Sequence, residues 1–155
     1  VWGEIATVGI DESVHILLVE DDEVDAEAIV RAFQKQKITH PITIVPDGFE
    51  ALNVLRGKEG RTRLRSPYLI LLDLNMPRMN GVEFLQTIRQ DPELMCSVVF
   101  ILTTSDSDQD KLAAYNAQIA GYFLKQRTGE NFSNLIDMLN VYWRIIEFPP
   151  DRHII

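Results

Sequence analysis

Residues 69–81 read LILLDLNMPRMNG, and the acid in that stretch needs an explanation. Leu69, Ile70, Leu71 and Leu72 form an unbroken apolar run, the pattern of a strand buried on both faces. Asp73 sits directly on its end, where a carboxylate is costly unless it is paired, hydrogen-bonded or bound to a metal. Other chemistry-bearing residues follow apolar runs in the same way. Glu20-Asp21-Asp22 ends HILLV, Thr103-Thr104 ends VVFIL, and Lys125 ends AGYFL. Clustered, the acids would repel one another and raise each other's pKa. A divalent cation with oxygen ligands relieves that repulsion, and Mg²⁺ suits a site of few carboxylates plus water. A lysine and a threonine hydroxyl beside it would donate to the oxygens of a phosphoryl group. Asp73 would then be a carboxylate nucleophile that forms an aspartyl phosphate, with positioning and the ion supplying most of the catalysis.

That chemistry requires the runs to end on one edge. Strand-like segments at residues 15–19, 42–45, 69–72, 98–102 and 120–124 alternate with helix-like segments at 23–36, 49–56, 81–90, 108–118 and 131–148. Such alternation predicts right-handed crossovers and an α/β fold with a parallel sheet covered on both faces. Ligands of these sheets bind beyond the carboxyl ends of the strands, where the strand order reverses. Residues 57–67, polar and basic, read as a surface loop in which Arg61, Arg63 and Arg65 are solvated. His15, His40 and His153 share no ligand spacing and read as structural or exposed.

Composition narrows the function further. The 155 residues suit about one domain, and 46% hydrophobic with 25% charged residues is ordinary for a soluble globule. A formal net charge of −8 argues against nucleic acid or an anionic membrane as the main partner. Cys96 is the sole cysteine, so an intrachain disulfide is excluded and a reducing compartment is expected. No segment has membrane-spanning length or the plan of a signal peptide. A cytoplasmic protein is expected.

With these residues in place, the chain resembles the CheY-like receiver domain of two-component response regulators over about residues 14–140. Glu20-Asp21 is similar to the acid pair after strand one, and Asp73-Leu74-Asn75-Met76-Pro77 through Gly81 to the phosphoacceptor loop. Thr103 resembles the hydroxyl residue and Tyr122 the switch aromatic, three residues before Lys125. The resemblance implies a flavodoxin-like (βα)5 fold, doubly wound, with five parallel strands in the order 2-1-3-4-5. It implies a receiver domain over 14–148, preceded by an extension over 1–13 and followed by a tail over 149–155.

It also implies roles. Asp73 accepts phosphate from a phosphohistidine on a sensor histidine kinase. Asp21 and Asp73 bind Mg²⁺ directly, Asn75 through its backbone carbonyl and Glu20 through water. Lys125 and Thr103 contact the phosphoryl group, and their movement turns Tyr122 inward and alters the surface made by helix four, strand five and helix five. Asp22 lies one place beyond the acid pair and is left out of the metal site. The loop at 57–67 and the C-terminal WRIIEFPP resemble the small receiver-only regulators paired with cyanobacterial phytochrome kinases.

Two departures and one surface carry further expectations. Receivers usually have proline after the lysine, whereas here Gln126 follows Lys125. A cis bond before a non-proline residue costs about 3–4 kcal/mol, so a trans bond or visible strain is expected. Thr104 replaces a smaller residue and would narrow access to the phosphoryl site. In the last helix, Phe132, Leu135, Ile136, Leu139, Trp143 and Ile146 form one apolar stripe, and Met138, Tyr142 and Ile145 another. The second stripe predicts a partner, with a homodimer through this helix and strand five favoured over a tail folding back on it. About seven residues follow Phe148, too few for a DNA-binding or catalytic output domain, so output is expected to be binding to another protein rather than turnover of an external substrate.

Alternatives remain at this stage. Haloacid-dehalogenase phosphatases also use a strand-end aspartate, but in a D-x-D pattern whose second acid is replaced here by Asn75, which cannot protonate a leaving group. A nucleotide-binding module is disfavoured because G-x-G-x-x-G and G-x-x-x-x-G-K-[ST] are both absent. A degenerate receiver acting only as an interaction module is disfavoured by the complete set of reactive residues.

Overall fold

The computed structural model describes residues 13–151 of the chain. Five strands form one sheet: β1 (His15–Val19), β2 (Ile42–Val45), β3 (Tyr68–Leu72), β4 (Val98–Thr103) and β5 (Gly121–Leu124). All four pairings are parallel, in the order β2-β1-β3-β4-β5. Between and after the strands run α1 (Glu23–Lys35), α2 (Gly48–Arg56), α3 (Gly81–Gln90), α4 (Asp108–Asn116) and α5 (Ser133–Ile145). The expected doubly wound flavodoxin-like architecture is therefore present.

The alternation of strand side chains divides the core in two. Leu17, Val19, Ile70, Leu72, Val99 and Ile101 meet Ala51, Leu55, Phe84, Leu85 and Ile88, so α2 and α3 cover one face with Ala114 of α4. Ile16, Leu18, Leu69, Leu71, Phe100 and Leu102 meet Ile29, Phe33, Ile136, Leu139 and Trp143 of α1 and α5 on the other. Most of these side chains are fully buried, each stabilising the fold by roughly 1.5–3 kcal/mol relative to exposure. Because β2 and β3 flank β1 on opposite sides, the sheet's topological switch lies beside the carboxyl end of β1.

Short polar side chains start four of the helices. Asp22, Asp47, Asn80 and Ser107 accept from first-turn amides of α1, α2, α3 and α4, and Asn80 forms a capping box with Glu83. The Asp22 side chain is thus engaged in capping α1. Gly57 ends α2 with φ +68°, a left-handed cap that L side chains resist.

Helix α5 departs from expectation by starting at Ser133 and stopping at Ile145. Lys125–Arg127 and Glu130–Phe132 are single 3₁₀ turns, and Asn131 and Phe132 have φ +53° and +63°. The bulky Phe132 tolerates this backbone because its ring is buried in the α1–α5 core. The Thr128 carbonyl accepts from the amides of Asn134 and Leu135, at 2.9 and 3.3 Å, in place of a side-chain cap. Among the described residues the sole cis peptide precedes Pro67, so Lys125-Gln126 is trans.

Two surface readings also change. Arg61, Arg63 and Arg65 are not simply solvated: Arg61 pairs with Glu50, and Arg63 and Arg65 pair with Asp151 at 3.2 and 3.6 Å. The tail folds back, but over the amino edge of the sheet. Phe148 packs on the α1–α5 core, and Ser66 Oγ donates to the Pro149 carbonyl. Met138 and Tyr142 belong to that core too, with the Tyr142 ring 4.9 Å from Phe100 in a T-shaped contact. Val141 and Ile145 remain exposed. His15 and His40 are structural: His15 Nε2 lies 2.7 Å from Thr43 Oγ1, and His40 Nδ1 accepts from the Val14 amide. His153 lies outside the described residues, as do residues 1–12 of the expected extension.

Candidate functional site

Backbone ladders deliver the acids to one place. The Glu20 amide donates to the Val45 carbonyl and the Asp73 amide to the Val19 carbonyl, at 2.9 and 3.1 Å, so both residues continue the sheet by one step. Glu20 and Asp73 are buried, whereas Asp21 is exposed. One carboxylate oxygen from each of Glu20, Asp21 and Asp73 lies within 4.8 Å of the others. The predicted convergence of strands one and three is therefore realised.

Lys125 reaches the same cluster from the end of β5. Its ammonium lies 2.7 Å from Glu20 Oε1, 2.7 Å from Asp25 Oδ2 and 3.2 Å from Asp73 Oδ2. Burial disfavours the charge on Lys125, but the hydrogen bonds it donates to Asp25 and Glu20 and the charge of Asp73 outweigh it and raise its pKa. Burial pushes Glu20 up to about 7 even with Lys125 beside it, and the charge of Asp73 adds to the rise. Three carboxylates (Glu20, Asp25 and Asp73) thus share one ammonium, and a fourth, Asp21, joins Glu20 and Asp73 in the acid cluster. The donors are hard oxygens with too little positive charge among them, a set that fits a small divalent cation such as Mg²⁺.

The loop after Asp73 is held from three sides. The Asn75 amide approaches Asp73 Oδ1 at 3.3 Å. Arg78, at φ +61°, donates from Nε to Asp47 Oδ2 at 2.7 Å and pairs with Glu50, while its guanidinium covers the Phe49 ring. Burial would raise Asp47, but the bond from Arg78 and the α2 amides it caps prevail and hold its carboxyl below the usual range. Gly81 opens α3 directly behind Asp73: a Cβ there would lie 2.5 Å from the Asp73 carbonyl oxygen and 2.7 Å from Leu74 Cα. Glycine is required at this position by a close backbone approach.

Thr103 ends β4 fully buried, its Oγ1 accepting from the Ser105 amide at 3.3 Å. Thr104 is exposed. Tyr122 is half-buried against the α2–α3 core, and its hydroxyl donates to the Ser105 carbonyl at 2.8 Å. It thereby ties β5 to the loop that follows Thr103. Sequence reasoning missed Asp25 and the Asp47–Arg78 link. An acid in a helix's first turn is ordinary, so Asp25 gave no distinctive signal.

Comparisons agree with this geometry. Residues 16–137 match the model of the response regulator receiver domain. The probable methanogenesis regulatory protein FilR2 of Methanothrix harundinacea is 38% identical over 128 residues, covering 83% of this chain and 82% of that protein. Response regulator Rcp1 of Synechocystis is 33% identical over 128 residues, covering 83% of this chain and 87% of its own length. The crystal structure of the Mn²⁺-bound form of Rcp1 superposes with a TM-score of 0.75 at 31% identity, covering 88% of this chain and 99% of that one. The phosphorylated cyanobacterial phytochrome response regulator RcpA gives 0.74 at 29% identity, covering 88% and 99%. An acid cluster at the switch point of a 2-1-3-4-5 sheet, with a match spanning most of the chain, places this protein in the response regulator receiver family.

Proposed function

We propose that the protein is a response regulator that accepts a phosphoryl group on Asp73 from a sensor histidine kinase, with Mg²⁺, and signals through a changed protein-binding surface. The observation that carries this reading is the convergence of Glu20, Asp21, Asp73 and Lys125 on one sheet edge. Likeness to the cyanobacterial phytochrome response regulator RcpA favours a phytochrome as the kinase. A carboxylate nucleophile suits the reaction because it attacks phosphorus directly to form an acyl phosphate. Its Oδ attacks phosphorus in line, the bond to the donor imidazole nitrogen breaks, and that nitrogen keeps the electron pair. Asp21, Asp73, the Asn75 carbonyl and Glu20 would hold the ion, which offsets the charge on the transferring oxygens. Lys125 exchanges its long contact with Asp73 for a phosphoryl oxygen, and Thr103 donates to another.

An added charge of nearly two units is enough to bias a two-state element. The Tyr122–Ser105 bond couples β5 to the β4–α4 loop and is the natural element to shift. Exposed Val141 and Ile145 of α5, together with half-buried Phe123 of β5, favour a homodimer through these elements. The protein acts in the cytoplasm as a binding switch and turns over no external substrate. No helix among the described residues is long and apolar enough to cross a membrane. Incubation with Mg²⁺ and acetyl phosphate, followed by intact mass, is expected to add one phosphoryl group, with none added to Asp73→Asn. Unchanged mass, or equal labelling of Asp73→Asn, overturns the reading.

A further inference from the structure

We infer that Asp25 is a positioning residue for Lys125, the fixed anchor about which the ammonium moves between the resting and phosphorylated states. The inference rests on the phosphoryl-acceptor reading above. An ammonium has three N–H donors, and here three carboxylates surround it, from Glu20, Asp25 and Asp73. Every donor of Lys125 is engaged before any phosphoryl group arrives. The three acceptors differ in what else they must do. Asp73 is esterified in the reaction, so its contact, the longest at 3.2 Å, is the one to be surrendered. Glu20 belongs to the acid cluster that would hold the ion.

Asp25 has neither duty. It stands in the first turn of α1, rigidly capped by Asp22, and meets the ammonium from 100 residues away in sequence at 2.7 Å. Its side chain is 29% exposed whereas that of Lys125 is 10% exposed, so Asp25 stands at the rim and leaves the interior free for the phosphoryl group. A lysine side chain loses much rotamer freedom when fixed in one place. An acceptor that holds it in both states removes that entropy loss from the transfer step itself. A plain first-turn acid would serve the helix equally well pointing into solvent, and would not need this contact.

The test follows the ammonium directly. In ¹⁵N-lysine-labelled protein, the Lys125 ammonium should give a slowly exchanging ¹H–¹⁵N peak both at rest and with Mg²⁺ and beryllofluoride, a phosphoryl mimic. Asp25→Asn should lose that peak in the beryllofluoride state while the backbone amide spectrum of the sheet is retained. Phosphorylation by acetyl phosphate in saturating Mg²⁺ should slow about fivefold, as expected for one charge-assisted hydrogen bond at a half-open site. Asp25→Glu should restore most of the rate. A persistent ammonium peak in Asp25→Asn, an unchanged rate, or failure of glutamate to rescue overturns the anchor while leaving the phosphoryl-acceptor reading intact. Wild-type protein that takes neither phosphate nor beryllofluoride overturns both.

Discussion

The two edges of the sheet handle buried charge in opposite ways. At the amino edge, Asp151 is shared by two arginines, Arg63 and Arg65. Nearby, the half-buried Arg89 guanidinium donates to the carbonyls of Met95, Ser97, Ala117 and Gln118, and the Tyr68 hydroxyl bonds Ser97 Oγ. Cations there are in excess or fully bonded, and the result is a closed fastening for the chain's tail. At the carboxyl edge, four acids gather and a single lysine meets three of them. Paired charge of the first kind stabilises a structure, whereas unbalanced charge of the second kind invites an ion and a reaction. Fold alone does not separate the edges, because both belong to the same five strands.

The contrast can be broken most forcefully from behind Asp73. Gly81→Ala drives a methyl group into the Asp73 carbonyl and the Leu74 backbone, which cannot yield as a flexible side chain would. We expect a loss of about 2–3 kcal/mol in urea unfolding together with markedly slower phosphorylation. Wild-type stability in this variant would mean that the loop is looser than its contacts imply. At the other edge, Asp151→Asn removes the acid that joins the tail to residues 63 and 65. The arginines are partly exposed and can be solvated, so the loss should be about 1–2 kcal/mol, below that of a fully buried pair. Its phosphorylation rate should equal that of wild type, and a slowed rate would show that the edges are coupled.

The smallest expected effect is a dependence of stability on pH. Burial lowers the pKa of His15 and of His40 from the ordinary value of 6.5, and His40 Nδ1 must be unprotonated to accept from Val14. Protons therefore favour the unfolded chain. This contribution is complete above about pH 6.5 and declines as pH falls through the lowered folded values. His40→Gln should flatten the decline by less than about 1 kcal/mol in urea midpoints compared between pH 7.5 and 5.5. Identical slopes would assign the decline to the carboxylates instead.

How much of this was readable in the sequence depended on distance. Glu20, Asp21, Asp73 and Lys125 each follow an apolar run, and parallel strands put run-ends together, so a local pattern and one topological rule sufficed. Asp25 was hidden because helix starts commonly carry acids. The three arginines looked solvated because their partners, Glu50 and Asp151, are 11 and up to 88 residues distant. The start of α5 was misplaced because Phe132, Leu135 and Ile136 keep helical spacing, while the left-handed backbone at residues 131 and 132 is set by burial of the Phe132 ring and by the Thr128 carbonyl. Tyr122 was recognisable by type, yet its bond to Ser105 depends on loop geometry that no periodicity encodes.

Of the two edges, the carboxyl edge is the one that lacks positive charge among the described residues, and paramagnetic Mn²⁺ tests this most directly. Added in small amounts to ¹⁵N-labelled protein, Mn²⁺ should broaden the amides of Glu20, Asp21, Asp73 and Asn75 first, leave those of Arg63, Ser66 and Ser97 sharp, and be displaced by excess Mg²⁺. Broadening centred on the Asp151 edge, or no selective broadening at all, would contradict the account.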